Sequence, residues 1–303
     1  YRMTYNIKED NADTTKKAVV PKGAEVLLES RYPYLDDSQI RYILYSTAVS
    51  SGYSVLDDAE GWGRLNLFEA ANGYGAFDTN VTVNMDASKG GFNVADNWKN
   101  DISGTGSLTK EGSGMLVLSG NNSYTGNTIV DGGSIRADYA SAFGNSSIVN
   151  NSVINENTDD TLIINGNYKQ NKSGVLELTI SNENDYVDIT GNAELGGKLV
   201  LNFKDYIPST DAEIIKCASV ASQFDEIEIN APEGFEGKIA YNDNGVDLVF
   251  SQKTDNNTAQ NEISSPQTGD TSHVVMAFTA FVLSLAGILT ASFASKIKSD
   301  RIR

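Results

Sequence analysis

Cysteine is nearly absent: Cys217 is the only one in 303 residues. No disulfide can form within the chain, so the fold must rest on its own core and backbone pairing. Cys217 follows Ile214, Ile215 and Lys216, the setting of a small buried apolar residue and not of a reactive thiol. Positive charge is also scarce, with 23 Lys and Arg against 40 Asp and Glu, a net −17. That balance excludes nucleic acid as a natural partner and suits solubility outside the cell. Histidine occurs once, at His273, and nothing in the pattern of residues calls for a cofactor or a metal. The chain opens on Tyr1, with neither an initiator Met nor a signal peptide. The expectation is the C-terminal part of a longer protein.

One long apolar run is present, from Val274 to Ala294, and Lys296, Lys298, Arg301 and Arg303 follow it. As a helix it would rise about 1.5 Å per residue and span roughly 30 Å, the hydrocarbon thickness of a bilayer. Cationic residues stay on the cytoplasmic side of such a span, so everything before it is expected outside. Residues 251–264 are poor in apolar side chains and read as a disordered tether.

Two periodicities divide the rest. Residues 1–80 read as a helical segment. Pro21 starts one helix and Pro33 stops it, and Asp36 or Asp37 caps a second through Ile40, Ile43 and Leu44, with Gln39 completing a capping box. A third is expected near Leu65 to Ala71, ending at Gly73. Residues 81–250 change to a period of two. Leu108, Lys110, Leu116, Leu118, Tyr124, Thr128 and Val130 fall on even positions, then Gly132-Gly133 shifts the phase and Ile135 and Ala137 continue on odd ones. Narrow apolar runs separated by Asn and Gly turns predict a mainly β protein with a small α-helical N-terminal segment. Its core is a short parallel β-solenoid, or β-helix, with a β-sandwich as the alternative. A disordered tether and one transmembrane helix complete the expected fold.

Three resemblances follow from motifs. Ser265-Pro266-Gln267-Thr268-Gly269, ahead of the apolar run and basic tail of 265–303, resembles the Leu-Pro-x-Thr-Gly sortase signal of Gram-positive bacteria, with Ser265 in the first place. That resemblance implies a sortase transpeptidase as partner, cleavage between Thr268 and Gly269, peptidoglycan attachment, and the membrane at 274–294 before cleavage. The stretch from Gly104 to Gly126, continued by Thr128, Val130, Gly132 and Gly133, resembles the autotransporter-associated β-strand repeat. With one clear repeat and no barrel after it, the expectation is a wall-anchored protein and not a self-translocating autotransporter.

The third resemblance lies in Tyr1-Arg2-Met3-Thr4-Tyr5, Tyr32-Pro33-Tyr34-Leu35, Leu56 to Phe68 and Gly73 to Asp78. These resemble the segment that follows the catalytic core in secreted acid phosphatases of the type-2 phosphatidic acid phosphatase, vanadium-haloperoxidase-like family. The family's chemistry needs a His nucleophile and Ser-Gly-His and Ser-Arg motifs. Ser51-Gly52-Tyr53 has Tyr at the nucleophile's place, so this polypeptide is expected to be a non-catalytic spacer and anchor, with any active site upstream. Two alternatives are a β-helical adhesin or structural surface protein, and the tail of a secreted subtilase-like hydrolase, suggested by Gly61-Trp62-Gly63-Arg64-Leu65-Asn66. The acidic groups Glu156 to Asp160, Glu183 with Asp185 and Asp188, and Asp57, Asp58 and Glu60 lack the spacing of a calcium loop or a catalytic pair and read as turns.

Overall fold

The computed structural model describes residues 22–49, 62–204 and 210–252, with 6–7, 9–10, 17–18, 206 and 208. Two seven-stranded parallel sheets run along it. The first stacks Val81–Asn84, Leu108–Glu111, Thr128–Val130, Ile148–Asn150, Tyr168–Gln170, Asn192–Glu194 and Ser219–Val220. The second stacks Ala95–Trp98, Met115–Leu118, Ser134–Ala137, Val153–Glu156, Val175–Ile180, Lys198–Phe203 and Glu226–Asn230. The chain visits the two sheets in turn, so the seven strands of each sheet mark seven coils of a parallel β-solenoid, about six full turns from the first to the last. A β-sandwich is excluded.

Register follows from sequence period. Register partners in the central coils lie 20 residues apart in the first sheet, as Leu108 with Thr128, and 19 apart in the second, as Leu116 with Ile135. Later coils lengthen to 25 and 27, seen from Asn192 to Asn167 and from Ser219 to Asn192. The added residues widen the second sheet's strands and carry a third sheet, Leu162–Ile164, Val187–Ile189 and Ala212–Lys216. Inward positions form apolar ladders: Leu116, Ile135, Ile154, Leu176 and Leu199 are each at most 1% exposed. Burying one such side chain stabilises by about 1.5–3 kcal/mol. The phase shift at Gly132-Gly133 is real, with Thr128 and Val130 buried before it and Ile135 and Ala137 after it.

Gly133 and Gly197 occupy the corner between the first two sheets, at φ 59° and 58°. A Cβ at either would overlap the carbonyl oxygen of Gly114 or Gly174 in the preceding coil. Glycine is needed there for both backbone conformation and space. The inward carbonyls of this corner are met by polar side chains at the ends of first-sheet strands. Lys110 donates to Glu111 O at 2.6 Å and Gly132 O at 3.2 Å, and Gln170 donates to Gly196 O at 2.7 Å and Lys198 O at 2.9 Å. Outside, amide side chains bridge coil to coil, as Asn151 to Asp131 at 2.6 Å and Asn230 to Asn202 at 2.7 Å.

The solenoid does not end in parallel fashion. Phe235–Asn242 and Gly245–Gln252 form an antiparallel hairpin, and the second of them closes the third sheet against Ala212–Lys216. The parallel expectation fails here, because a two-residue turn at Asp243-Asn244 can join only antiparallel strands. This strand also takes in Ser251 and Gln252, the first two residues of the expected tether.

Among the described residues three helices precede the coils: α1 (Lys22–Arg31), α2 (Asp37–Ser46) and α3 (Leu67–Ala70). Asp36 caps α2 with the expected capping box to Gln39. Among the described residues no helix is long and apolar enough to cross a membrane. The expected span 274–294, the pentapeptide, His273, Ser51 to Tyr53, and Asp57, Asp58 and Glu60 all lie outside the described residues.

Candidate functional site

The place where the helices meet the first coil gathers most of the unusual chemistry. Asp96 and Trp98 pair with Leu116 and Leu118, so both point into the solenoid at its first coil. An inward carboxylate needs partners: Asn97 N donates to one oxygen of Asp96 at 2.7 Å, and two side chains hold the other. Arg31 at the end of α1 donates to it at 2.5 Å, and the Tyr34 hydroxyl donates to the same oxygen. Burial and that carboxylate push the Tyr34 phenol well up, and the Arg31 guanidinium is raised by Asp96 against the opposing effect of its own burial. The Arg31 guanidinium also lies over the rings of Tyr32 and Phe92, at 4.5 and 4.2 Å from their centroids. Trp98 Nε1 donates to Tyr34 at 3.1 Å, and Tyr32 bridges the Ala70 carbonyl and the Gly73 amide, both at 2.7 Å.

An aromatic file continues inward from Tyr74 through Phe77 to Tyr124, with centroid separations of 5.4 and 5.0 Å, and Trp98 packs on Tyr74 at 5.1 Å. Trp98 is fully buried there, and sequence reading did not assign this junction. That reading missed Arg31, Tyr34 and Asp96. The available signal was an acidic residue two positions before Trp98, on the face that alternation marks as apolar.

Two of the three acidic groups weighed in the sequence lie within the described residues, and there Glu156, Asp185 and Asp188 are held by amides, hydroxyls and a lysine. Glu156 is 3% exposed and accepts from Thr158 N at 2.6 Å, Thr158 Oγ1 at 2.8 Å and Thr179 N at 3.3 Å in the next coil. Its carboxyl is pushed up to about 7, chiefly by burial, with Asp185 adding like charge. Asp185 in turn holds the amides of Ser181 and Asn182, and Asp188 pairs with Lys216 at 3.2 Å. Among the described residues no group of three or more metal-ligating side chains is arranged around an ion site. Cys217 is buried and burial pushes its thiol up.

Comparison with known proteins bears on the rest. The passenger-associated-transport-repeat model matches residues 108–137. The neisserial autotransporter lipoprotein NalP of Neisseria meningitidis serogroup B is 35% identical over 194 residues, 62% of this chain and 17% of that protein. An extracellular serine protease of Serratia marcescens is 31% identical over 160 residues, 43% of this chain and 15% of that protein. The adhesin BmaC autotransporter of Brucella suis is 51% identical over 47 residues, 16% of this chain and 1% of that protein. The chain therefore spans about a sixth of the length of the first two relatives and a far smaller share of the third.

These findings keep the repeat and overturn other expectations. The relatives are autotransporters and proteases of Gram-negative bacteria, so the sortase transpeptidase, the peptidoglycan attachment that depends on it, and the Gram-positive assignment do not stand. Five residues from Ser265 to Gly269, in a segment already rich in Ser, Thr and Gln, weigh little against an alignment of 194. The acid phosphatase parent falls as well. Among the residues that suggested it, Tyr32, Tyr34, Tyr74 and Phe77 pack the junction. The expectation against an autotransporter rested on one visible repeat and on no barrel after it; the first of these grounds fails, because the fold stacks seven coils whose register repeats although their residues do not.

Proposed function

We propose that this chain is the β-helical stalk of an exported, surface-displayed passenger protein, and that its helices close the end of a preceding serine-protease-type domain. The observation that carries the reading is the sealed first coil. Arg31, Tyr32 and Tyr34 fill the end that an isolated solenoid would leave open, so coils grow away from the helices in one direction. The similarity to an extracellular serine protease and to a neisserial autotransporter supports both halves. Stacked coils with amide ladders make a stiff spacer, since each unit contacts only its neighbours and still buries a continuous core. Residues 1–80 are then the helical closure, 81–250 the stalk and 251–303 the segment beyond it.

The test uses cells that make the full gene product. A membrane-impermeant amine-reactive biotin reagent should label it on intact cells, and a fluorophosphonate serine-hydrolase probe should label the same polypeptide. Absence of biotin on intact cells, with labelling after lysis, overturns surface display. Absence of the fluorophosphonate label overturns the protease parent. The second reading, an adhesin stalk, is favoured by the 51% identity to the Brucella adhesin. It predicts surface biotin without the serine probe.

A further inference from the structure

Where the end of α1 and the residues after α3 meet the outer face of the second sheet lies a groove of about 520 Å³, with Arg31, Asn72, Phe92, Lys99, Met115 and Arg136 in its lining. It crosses three coils, since Asn97 is in register with Val117 and Val117 with Arg136, a span of about 10 Å at the spacing of paired strands. Its size lies within the range of ligand sites, about 300–1,000 Å³. All three cations keep donors in reserve. Arg31 uses Nε on the Ala71 carbonyl and Nη1 on Asp96, and Arg136 uses Nε and Nη2 on Asp138, at 2.7 Å each. Nη2 of Arg31, Nη1 of Arg136 and the Lys99 ammonium donate to nothing among the described residues.

Large apolar side chains stand open beside these donors. Phe92 is 41% exposed although the Arg31 guanidinium lies over its ring. Leu27, one helical turn before Arg31 on the same face of α1, is 62% exposed. Phe68 precedes Ala71 and Asn72 of the groove by three and four residues, and it is 75% exposed. Single exposed apolar residues are ordinary, but several around one groove mark a place where a partner sits.

We infer that this groove docks an acidic peptide segment of a partner protein, a carboxylate meeting Lys99 and Arg136 and a neighbouring apolar side chain covering Phe92. Charge complementarity selects that occupant. In a chain of net −17 the groove gathers three basic residues, and Asp96 and Asp138 answer only two of them. The charge left over suits one or two carboxylates and falls short of what a nucleic acid or a sulfated glycan needs. An anionic bilayer is repelled by the chain's net charge. A peptide also brings carbonyl groups, and the Asn97 side chain, which accepts from Ser119 at 2.8 Å, keeps its amide N–H groups for one of them. Asp96 and Asp138 hold the two guanidinium groups in place beforehand, so little ordering accompanies binding. The inference stands on the groove alone and does not need the protease reading.

The experiment titrates the 303-residue chain calorimetrically with the peptide acetyl-Ala-Asp-Glu-Leu-Phe-Ala-amide and with its Asn-Gln counterpart. Saturable binding of the acidic peptide is expected, with the Asn-Gln form weaker by about tenfold or more. Lys99→Gln and Phe68→Ser should each weaken the acidic peptide by a similar factor and melt with the parent, since both side chains are exposed. Lys172→Gln, which removes an exposed charge outside the groove, should leave binding unchanged. No saturable binding, equal binding of the two peptides, unchanged binding in both groove variants, or an equal loss in Lys172→Gln overturns the inference. The same titration on the full gene product should give the same affinity. Binding lost there would mean that a preceding domain fills the groove, and would overturn a separate partner as its occupant.

Discussion

At the scale of single residues, the solenoid interior carries two ionisable groups whose burial works against their charge. Glu156 is held near pKa 7 in the fold against an ordinary value of 4.5. Its folded pKa is raised, so the fold binds this proton more tightly than the unfolded chain does. The resulting stability is fully present below pH 4.5 and lost as pH rises through 7. At about 1.36 kcal/mol per pKa unit, the loss is of the order of 3 kcal/mol. Thermal unfolding should therefore show a lower midpoint at pH 7 than at pH 5, and Glu156→Gln should flatten that slope. An unchanged slope in the variant would show that other groups carry it. Lys110 has the opposite sign: burial pushes its ammonium down to about 8, so the fold favours the neutral amine. Its charge destabilises the fold below pH 8. Asn150 and Gln170 hold the equivalent place in later coils. Lys110→Gln should raise stability at pH 7 by about 1–3 kcal/mol in urea unfolding while still reaching the Gly132 carbonyl.

At the scale of elements, corners are set by glycine and strands by alternation, and the two differ in how readily they can be read. Alternation was legible from Gly104 to Ala137, because a side chain facing inward on one residue faces out on the next. The phase shift at Gly132-Gly133 was legible for the same reason. The hairpin of Phe235–Asn242 and Gly245–Gln252 was not, since period two marks a strand without saying which way its neighbour runs. Ile227 also misleads: alternation marks it as core, yet it is 40% exposed because no further parallel coil stacks on Glu226–Asn230. Glycines divide the same way. Gly133→Ala places a methyl group on the Gly114 carbonyl at positive φ and should cost about 2–4 kcal/mol. Gly23→Ala, in α1 with nothing near its Cβ position, should be neutral or stabilise by up to about 1 kcal/mol. Urea unfolding of the two variants checks the contrast, and equal costs would remove the corner argument.

At the scale of the whole molecule, the coils form a nearly one-dimensional stack, so stability is local and the ends matter most. Sequence patterns showed the stack and failed on what adjoins it. The first-coil contacts are made by side chains some 60 residues apart in sequence, Arg31 and Tyr34 with Asp96, and no local pattern records such a pairing. The pairing gives a test of how far the seal reaches. Asp96→Asn keeps shape and removes the charge that Arg31 and Tyr34 share, and breaking a buried pair on one side costs about 3–5 kcal/mol. In a globular domain that loss would be felt everywhere. In a stack it should appear in native-state hydrogen exchange as lost protection in α1, α2 and Ala95–Trp98, while the amides of Ser134–Ala137 and Val175–Ile180 keep theirs. Uniform loss would show that the helices and all the coils unfold as one unit, and the coils could not then stand without the helices.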